Sequence, residues 1–371
     1  MAALATVAAV FWQALQAPFF LDDVYRIVEN PALRGTAPWW RHFVDPTTSS
    51  SLPRIVQYRP LLPLTLSWNW AMGGLAPFGY HLVNLALHLA SAALVLALGR
   101  LTKQEWAARL GAAAFALHPA AALVIGYSSA RDLALATPLM LGALLAAVAC
   151  ARASGRRGVL LGLSATLLTL AGLLAKTNAA TLPGLVFLLA LAVGAGLRRS
   201  FVAAIGPAVA VVAFFCWTRW GLHFSDWNNV VDTTVLPVEA VRTQLAVHGS
   251  AYLPHLLWPF GLAWLPEVAA PSSFSDVRVL AGLFGLVGSL VVAFFLRRSQ
   301  PVVSALIVGY WLVIAPESSV IPFHHVRVDY RPYPAMALLW PALAVGILPL
   351  AAEQRAGLRR TFGGFAAAAL L

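Results

Sequence analysis

Charged side chains are what this sequence most lacks: Asp, Glu, Lys and Arg make up 11% of its 371 residues. A soluble domain needs roughly a quarter of its residues charged to cover its surface, so a soluble globular fold is excluded. Acids are scarcer than bases, 14 against 25, which leaves a formal net charge of +11. Cysteine is nearly absent. Cys150 and Cys216 are the only two, and the span order given below puts them toward opposite membrane faces, so no disulfide is expected between them. No Walker-type GxxxxGK[ST] occurs, which argues against nucleotide hydrolysis. HExxH and CxxC are missing too, so no zinc site of familiar spacing is indicated. The hydrophobic start, residues 2–21, has neither a basic lead nor a clear small-residue cleavage site. It reads as a first span, not a removed signal peptide.

What the chain has in abundance is apolar sequence. The AVILMFWYC set accounts for 60% of residues and the mean hydropathy is +0.78. The apolar residues fall in long blocks, such as 82–98, 159–174, 182–197 and 279–296. Each approaches the roughly 20 residues that cross a hydrocarbon core. Helices satisfy their own backbone hydrogen bonds, which is why lipid selects them. The expected fold is an all-α integral membrane protein, a multispan helical bundle in one transmembrane domain. About eleven spans fit, placed near 2–20, 80–99, 108–127, 133–150, 158–175, 180–197, 201–219, 279–296, 301–316, 333–350 and 361 onward.

Basic clusters set the sidedness. Arg100/Lys103/Arg109, Arg152/Arg156/Arg157, Arg198/Arg199, Arg297/Arg298 and Arg355/Arg359/Arg360 are separated by room for even numbers of crossings. One face can therefore own them all, and the positive-inside rule makes it cytoplasmic. These clusters hold 13 of the 25 bases and, with Glu105 and Glu353, 2 of the 14 acids, so the whole excess of +11 is an inner-face excess. That makes topology the reading of the basic pI, and no nucleic-acid partner is expected. The outer face receives a long first loop (21–79) with short interfacial helices, a second segment (220–278) and a third loop (317–332). Within the second, residues 252–265 are apolar but interrupted by Pro254, Pro259 and Gly261, and read as a re-entrant or interfacial element. The chain stops at Leu371 inside a fresh apolar run and reads as truncated.

The first outer loop carries the most chemistry. Asp22 and Asp23 follow an apolar span directly, at membrane depth. Adjacent carboxylates there raise each other's pKa and suit a general base or a cation site. Acids that merely end a helix are the plainer alternative. Trp39, Trp40, Trp68 and Trp70 fit an interfacial belt. Arg59 (after Tyr58), Arg131, Lys176, Arg327 and Arg331 fall at span ends facing out. Guanidinium forks and ammonium groups are the usual partners of phosphate oxygens, against which stands snorkelling or pairing with acids such as Asp132 and Asp329. His81, Asn84 and His88 share one helical face and suit a packing stripe better than a metal site. His118-Pro119 and His324-His325 fit either cavity lining or interfacial contact.

FLDDVYRIVENPAL, YRPLLPLTLSWNWAMGGLAPFGYHLVNLALHL and GAAAFALHP resemble the transmembrane O-mannosyltransferases that carry tetratricopeptide repeats, and their bacterial relatives. Weaker echoes are AKTNAATLPGLVFL, YLPHLLWPFGL and VRVDYRPYPAMAL, so the likeness runs in family order from about residue 15 to 345. The resemblance implies a GT-C glycosyltransferase fold. It also implies transfer of a sugar, such as mannose, from a polyprenyl-phosphate carrier to a protein or glycan acceptor on the non-cytoplasmic face. The family's first-loop acidic pair matches Asp22-Asp23. The implied step is one inverting displacement: a carboxylate takes the acceptor's proton while the lipid phosphate leaves.

Arg59, Lys176, Arg327 and Arg331 are the leading candidates for carrier phosphate, with Tyr58, Arg131 and His81 as further substrate contacts. Where relatives carry Lys-Glu this chain has Lys176-Thr177. The polar stretch after LHP is AAALVIGYSSARD here, and Val326 replaces an acid before Arg327. The tetratricopeptide repeats are absent. A divalent cation at Asp22 and Asp23 stays open, because paired carboxylates serve a base and a metal equally. The expected location is a bacterial inner membrane with the site on its periplasmic face, among membrane lipid. The rival is a lipid-linked sugar transporter or an inactive scaffold, but ionisable residues at span ends, not the midplane, favour surface chemistry.

Overall fold

The computed structural model describes residues 2–35, 38–225 and 231–353. They are helical nearly throughout. Among them the only β pairing is one isolated antiparallel bridge, Val231 to Phe323. Helix follows from long Ala/Leu/Val runs with few breakers. In chain order the helices used below are α1 (Ala2–Val10), α2 (Leu61–Gly73), α3 (Pro77–Gly99), α4 (Glu105–Leu117), α5 (Ala120–Ile125), α6 (Arg131–Arg152), α7 (Gly155–Ala175), α8 (Leu182–Ala192) and α9 (Leu197–Cys216). After these come α10 (Pro237–Val247), α11 (Val277–Ser299), α12 (Pro301–Ile314) and α13 (Tyr333–Glu353).

Five helical stretches of the described residues are long and apolar enough to cross a membrane: Pro77–Thr102, Ser128–Arg152, Gly155–Ala175, Leu197–Gly221 and Val277–Ser299. Shorter apolar helices lie at Thr177–Ala192, Pro301–Glu317 and Tyr333–Gly346. The span expected from 361 onward, and the cluster Arg355/Arg359/Arg360, lie outside the described residues.

Two expected spans are broken. The helix expected over 2–20 stops at Val10 and is followed by a 3-10 turn at Ala14–Gln16. Pro18 then lacks the amide hydrogen needed to continue. The helix expected over 108–127 divides into α4 and α5. His118 takes an extended conformation, ψ 128, before Pro119, as the proline ring demands of the residue ahead of it. His118 Nδ1 accepts the Ala120 amide hydrogen at 3.1 Å, so the His118-Pro119 pair makes the break and caps the helix that follows. The first loop is a chain of short helical turns, at Val24–Val28, Pro31–Leu33, Arg41–Val44, Pro46–Ser49 and Pro53–Ile55, leading into α2. Residues 252–265 are helical only as far as Leu257.

α6 is the central element: 61% of its most apolar stretch is buried, against 17% for α11, whose surface faces outward. The polar stripe of α3 is consumed in packing. His88 contacts the Tyr333 hydroxyl at 2.8 Å and the Ala116 carbonyl at 3.0 Å, tying α3 to α13 and α4. Asn84 donates to the Val124 and Tyr127 carbonyls. α4 and α13 approach closely at Gly111, where a Cβ would lie 2.7 Å from the Pro341 backbone.

α6 carries Asp132 in its first turn and ends at Arg152, and α7 runs back from a first turn holding Arg156 and Arg157 to its C-cap Lys176. At 1.5 Å per residue each is roughly 30 Å long. Asp132 and Lys176 therefore share the end of the bundle opposite those arginines.

Candidate active site

Asp22 and Asp23 leave Leu21, whose φ of 49 is a left-handed conformation that leucine rarely adopts. The turn sends the two carboxylates to different places. Asp22 faces a polar cavity of ≈ 520 Å³, within 3.6 Å of Arg26 Nε. Its backbone N–H donates to the Tyr127 hydroxyl oxygen at 3.3 Å. The neighbouring Tyr25 hydroxyl is pushed up by burial and by its hydrogen bond to Asp22. Asp23 is fully buried. It accepts hydrogen bonds from the Ser129 amide (2.7 Å), the Ser129 hydroxyl (2.6 Å) and the Ser128 amide (3.3 Å). Burial pushes its carboxyl up from 3.8 to about 6, against the pull of those donors.

Across the cavity from Asp22 stands a cluster of ion pairs. Asp132, in the first turn of α6, accepts from Lys176 Nζ at 3.1 Å and also pairs with Arg59. Lys176 sits where α7 ends, and its extended backbone turns it inward; a helix C-terminus favours a cation there. Glu317, just after α12, reaches Lys176 Nζ at 2.9 Å and lies 4.0 Å from Arg331 Nε. Arg331 also donates to the Glu317, Val326 and His325 carbonyls, which pins the 317–331 loop over the cavity. Buried donors remain: among the described residues Arg59 Nε and Arg26 Nη1 have no hydrogen-bond partner.

A second cleft of ≈ 510 Å³ adjoins. Phe214 and Phe215 of α9, with Phe224 and Ile321, make it largely apolar, and Tyr58 and Thr177 also line it. Arg59, Glu317 and Phe323 belong to both spaces.

Of the residues expected from sequence, Asp22, Arg59, Lys176 and Arg331 therefore meet at one cavity. The others stand elsewhere. Tyr58 lies on the cleft, donating to the Phe43 carbonyl and accepting from Trp217 Nε1. Arg131 is fully buried beside α2 and α3, donating to Asn84, Thr65, Asn69 and Tyr80. His81 lies between the Ala17 and Ile125 carbonyls. Arg327 forms a two-toothed pair with Asp329 at 2.6 and 2.7 Å. Sequence reasoning did not single out Arg26, Tyr25 or Glu317, and took Asp132 only as a partner for a snorkelling base. The rule that flagged Lys176, an ionisable residue at the end of an apolar run, applies equally to Glu317. Among the described residues no three His, Cys, Asp or Glu side chains group as a metal site. Asp23's oxygens are occupied by Ser128 and Ser129, which leaves Asp22 as the open member of the pair.

A helical membrane fold whose polar cavity opens beside an apolar cleft defines the class, and comparison with solved structures agrees. ArnT from Cupriavidus metallidurans, bound to undecaprenyl phosphate, matches 93% of this chain and 59% of its own, with a TM-score of 0.54 and 13% identity. The oligosaccharyltransferase AglB from Archaeoglobus fulgidus, in complex with an inhibitory peptide and a dolichol-phosphate, matches 97% of this chain and 52% of its own, with a TM-score of 0.50 and 14% identity. The fold is of the GT-C type.

In sequence the chain is similar to the protein O-mannosyl-transferases. Tmtc2 of Drosophila melanogaster is 37% identical over 117 residues, 30% of this chain and 12% of that protein. TMTC3 of Mus musculus is 32% identical over 119 residues, 31% of this chain and 13% of that protein. These matches thus span about an eighth of each relative's length. No protein-family model matches the chain.

Proposed function

We propose that this chain is a membrane glycosyltransferase that moves a sugar, with mannose as the first candidate, from a polyprenyl-phosphate carrier to an acceptor hydroxyl. One observation carries the reading: an open carboxylate, Asp22, lines a cavity together with a group of cations, and that cavity shares the wall residues Arg59, Glu317 and Phe323 with an apolar cleft of similar size. A polyprenyl-phosphate sugar needs those three surroundings together. Its lipid chain takes the cleft, its phosphate the cations, and its sugar the polar cavity. ArnT and AglB, of like fold, hold undecaprenyl phosphate and dolichol-phosphate.

The step is a single displacement. The acceptor oxygen attacks the anomeric carbon as Asp22 takes its proton, and the bond from that carbon to the phosphate oxygen breaks with inversion. The electron pair leaves with the polyprenyl phosphate. Lys176, Arg59 and Arg331 stabilise the charge that grows on the leaving oxygen. Cavity cations Arg26, Arg54, Arg59, Lys176 and Arg331 outnumber carboxylates Asp22, Asp132 and Glu317 by five to three, so the site favours an anion. Arg59 Nε, without a hydrogen-bond partner among the described residues, is a ready donor to it. Asp132 and Glu317 hold the cations in place until the phosphate arrives. Asp23 acts through Ser128 and Ser129 and positions the loop. Arg131, Arg327 and His81 hold the surrounding elements. The acceptor is a protein or glycan hydroxyl, and the cavity opens on the face away from the arginine clusters, the periplasmic face of a bacterial inner membrane.

The test is transfer by purified protein given polyprenyl-phosphate mannose and hydroxyl acceptors. Asp22→Asn is expected to lower kcat by ~10²–10⁴ while donor binding persists. Transfer that survives the substitution removes Asp22 from the base role. Movement of the intact donor across the membrane without any transfer would favour a transporter instead.

A further inference from the structure

We infer that the groove between the arginine-bearing ends of α7 and α9 binds an anionic phospholipid. The groove holds ≈ 780 Å³ and lies at the end of α7 remote from Lys176, clear of the cavity described above. Its floor is the end of α6 at Cys150 and Ala151, and its walls are residues 155–166 of α7 and 197–206 of α9. The two walls touch where Gly206 meets Thr166, since a Cβ at 206 would strike the Thr166 hydroxyl. Between that contact and the helix starts the gap stays open, because Gly155, Gly158 and Gly162 bring no side chains to fill it.

The lining is of two kinds. Val159, Leu163 and Val202 are exposed and apolar. Arg198 and Arg199 stand at the mouth, and Arg156 and Arg157 occupy the first turn of α7. Elsewhere on this end of the bundle, Arg100 and Arg109 both pair with Glu105, while Arg297 turns back onto the Phe294 carbonyl. Arg152 is turned back onto the Val193 carbonyl at 2.8 Å. Among the described residues no carboxylate lies within ion-pair distance of Arg156, Arg157, Arg198 or Arg199.

Both first turns also lack an acid, and neither N-cap side chain covers the free amides. Four positive side chains therefore crowd the positive ends of two helices, which is repulsive until an anion joins them. Sidedness alone explains arginines on this face. It does not explain why they gather, uncompensated, around an unfilled apolar groove. An anionic phospholipid matches both halves, with its phosphate among the arginines and an acyl chain along α7 and α9.

The experiment is native mass spectrometry of the full chain in mild detergent, with phosphatidylglycerol and phosphatidylcholine added in equal amounts. Wild type is expected to retain phosphatidylglycerol in preference. R198Q/R199Q should weaken that retention roughly tenfold or more, from the loss of two surface charges. Gly158→Leu leaves every charge in place, its Cβ would make only ordinary contacts, 3.5 Å to Ala153, and its added bulk at a groove-lining position should also weaken retention. Equal retention of the two lipids, or unchanged phosphatidylglycerol binding by R198Q/R199Q, overturns the proposal. If the glycine variant fails to fold, the arginine pair decides alone. None of these readouts depends on sugar transfer.

Discussion

Asp23 is expected to report on the fold, where Asp22 reports on the chemistry. Its carboxyl, near 6 in the folded chain against 3.8 ordinarily, holds its proton more tightly when buried than when unfolded. The stability tied to that proton is present below about pH 4 and is lost as pH rises through 6, by about 3 kcal/mol at most. Thermal unfolding in detergent from pH 4 to 7 should show the decline, and Asp23→Asn should flatten it; a slope unchanged by the substitution assigns it to other groups. Glu317 offers a kinetic prediction. It and Asp132 both occupy Lys176, so the arriving phosphate must compete with them. Glu317→Gln should lower the donor KM several-fold in steady-state assays, whereas a raised KM would mean that Glu317 serves to aim Lys176. At this scale the acidic pair was legible because two acids behind an apolar run are costly. The division of labour between them was not, since it depends on a backbone turn at Leu21 and on serines a hundred residues away. Glu317 was hidden for a related reason: the sequence gap at Thr177 drew attention to a missing neighbour, while the carboxylate comes from another helix.

Helices were easier to read than their interruptions. The runs that became α3, α6, α7, α9 and α11 have the length and apolarity lipid requires, and Pro138 in α6 and Pro207 in α9 are absorbed without ending either helix. Pro119 was as visible as any residue, yet hydropathy averages over it, and so 108–127 looked continuous; the first helix ends at Val10, well before Pro18. Close helix contacts leave even less trace. Gly111 is one glycine among many, but only there does a missing side chain let α4 meet the Pro341 backbone. Gly111→Leu should force α4 and α13 apart and cost about 1–3 kcal/mol, seen as a lower unfolding temperature in detergent with helical content retained. An unchanged midpoint would show that α13 yields without penalty.

Across the whole molecule, charge distribution proved as informative as hydropathy. The likeness to protein O-mannosyl-transferases covers about 30% of the chain at 37% identity, while the likeness in fold to ArnT covers 93% at 13%. The likeness in fold thus extends over far more of the chain than the likeness in sequence. The bundle places Asp132 and Lys176 opposite Arg152, Arg156 and Arg157, and this separation gives a direct topological test. In a chain with Cys150 and Cys216 replaced by serine, Arg156→Cys and Asp45→Cys should react with an impermeant thiol reagent from opposite sides of sealed vesicles. Labelling of both from one side would refute the span order. The site's partners were beyond reach of any such count, because pairing between residues 59, 132, 176 and 317 is decided by how four separate elements meet.

The five residues 128–132 join the two halves of the site. Ser128 and Ser129 grip the acidic loop through Asp23, and Asp132 grips Lys176 and Arg59. On the function proposed above, the gap between the acidic loop and the Lys176–Arg59 cations is therefore gauged by covalent peptide, a few ångströms of nearly inextensible helix, and not by the sliding of one span on another. Bilayers of different thickness tilt and shift spanning helices. A calliper cut from a single helix start rides along with such movements and keeps its opening.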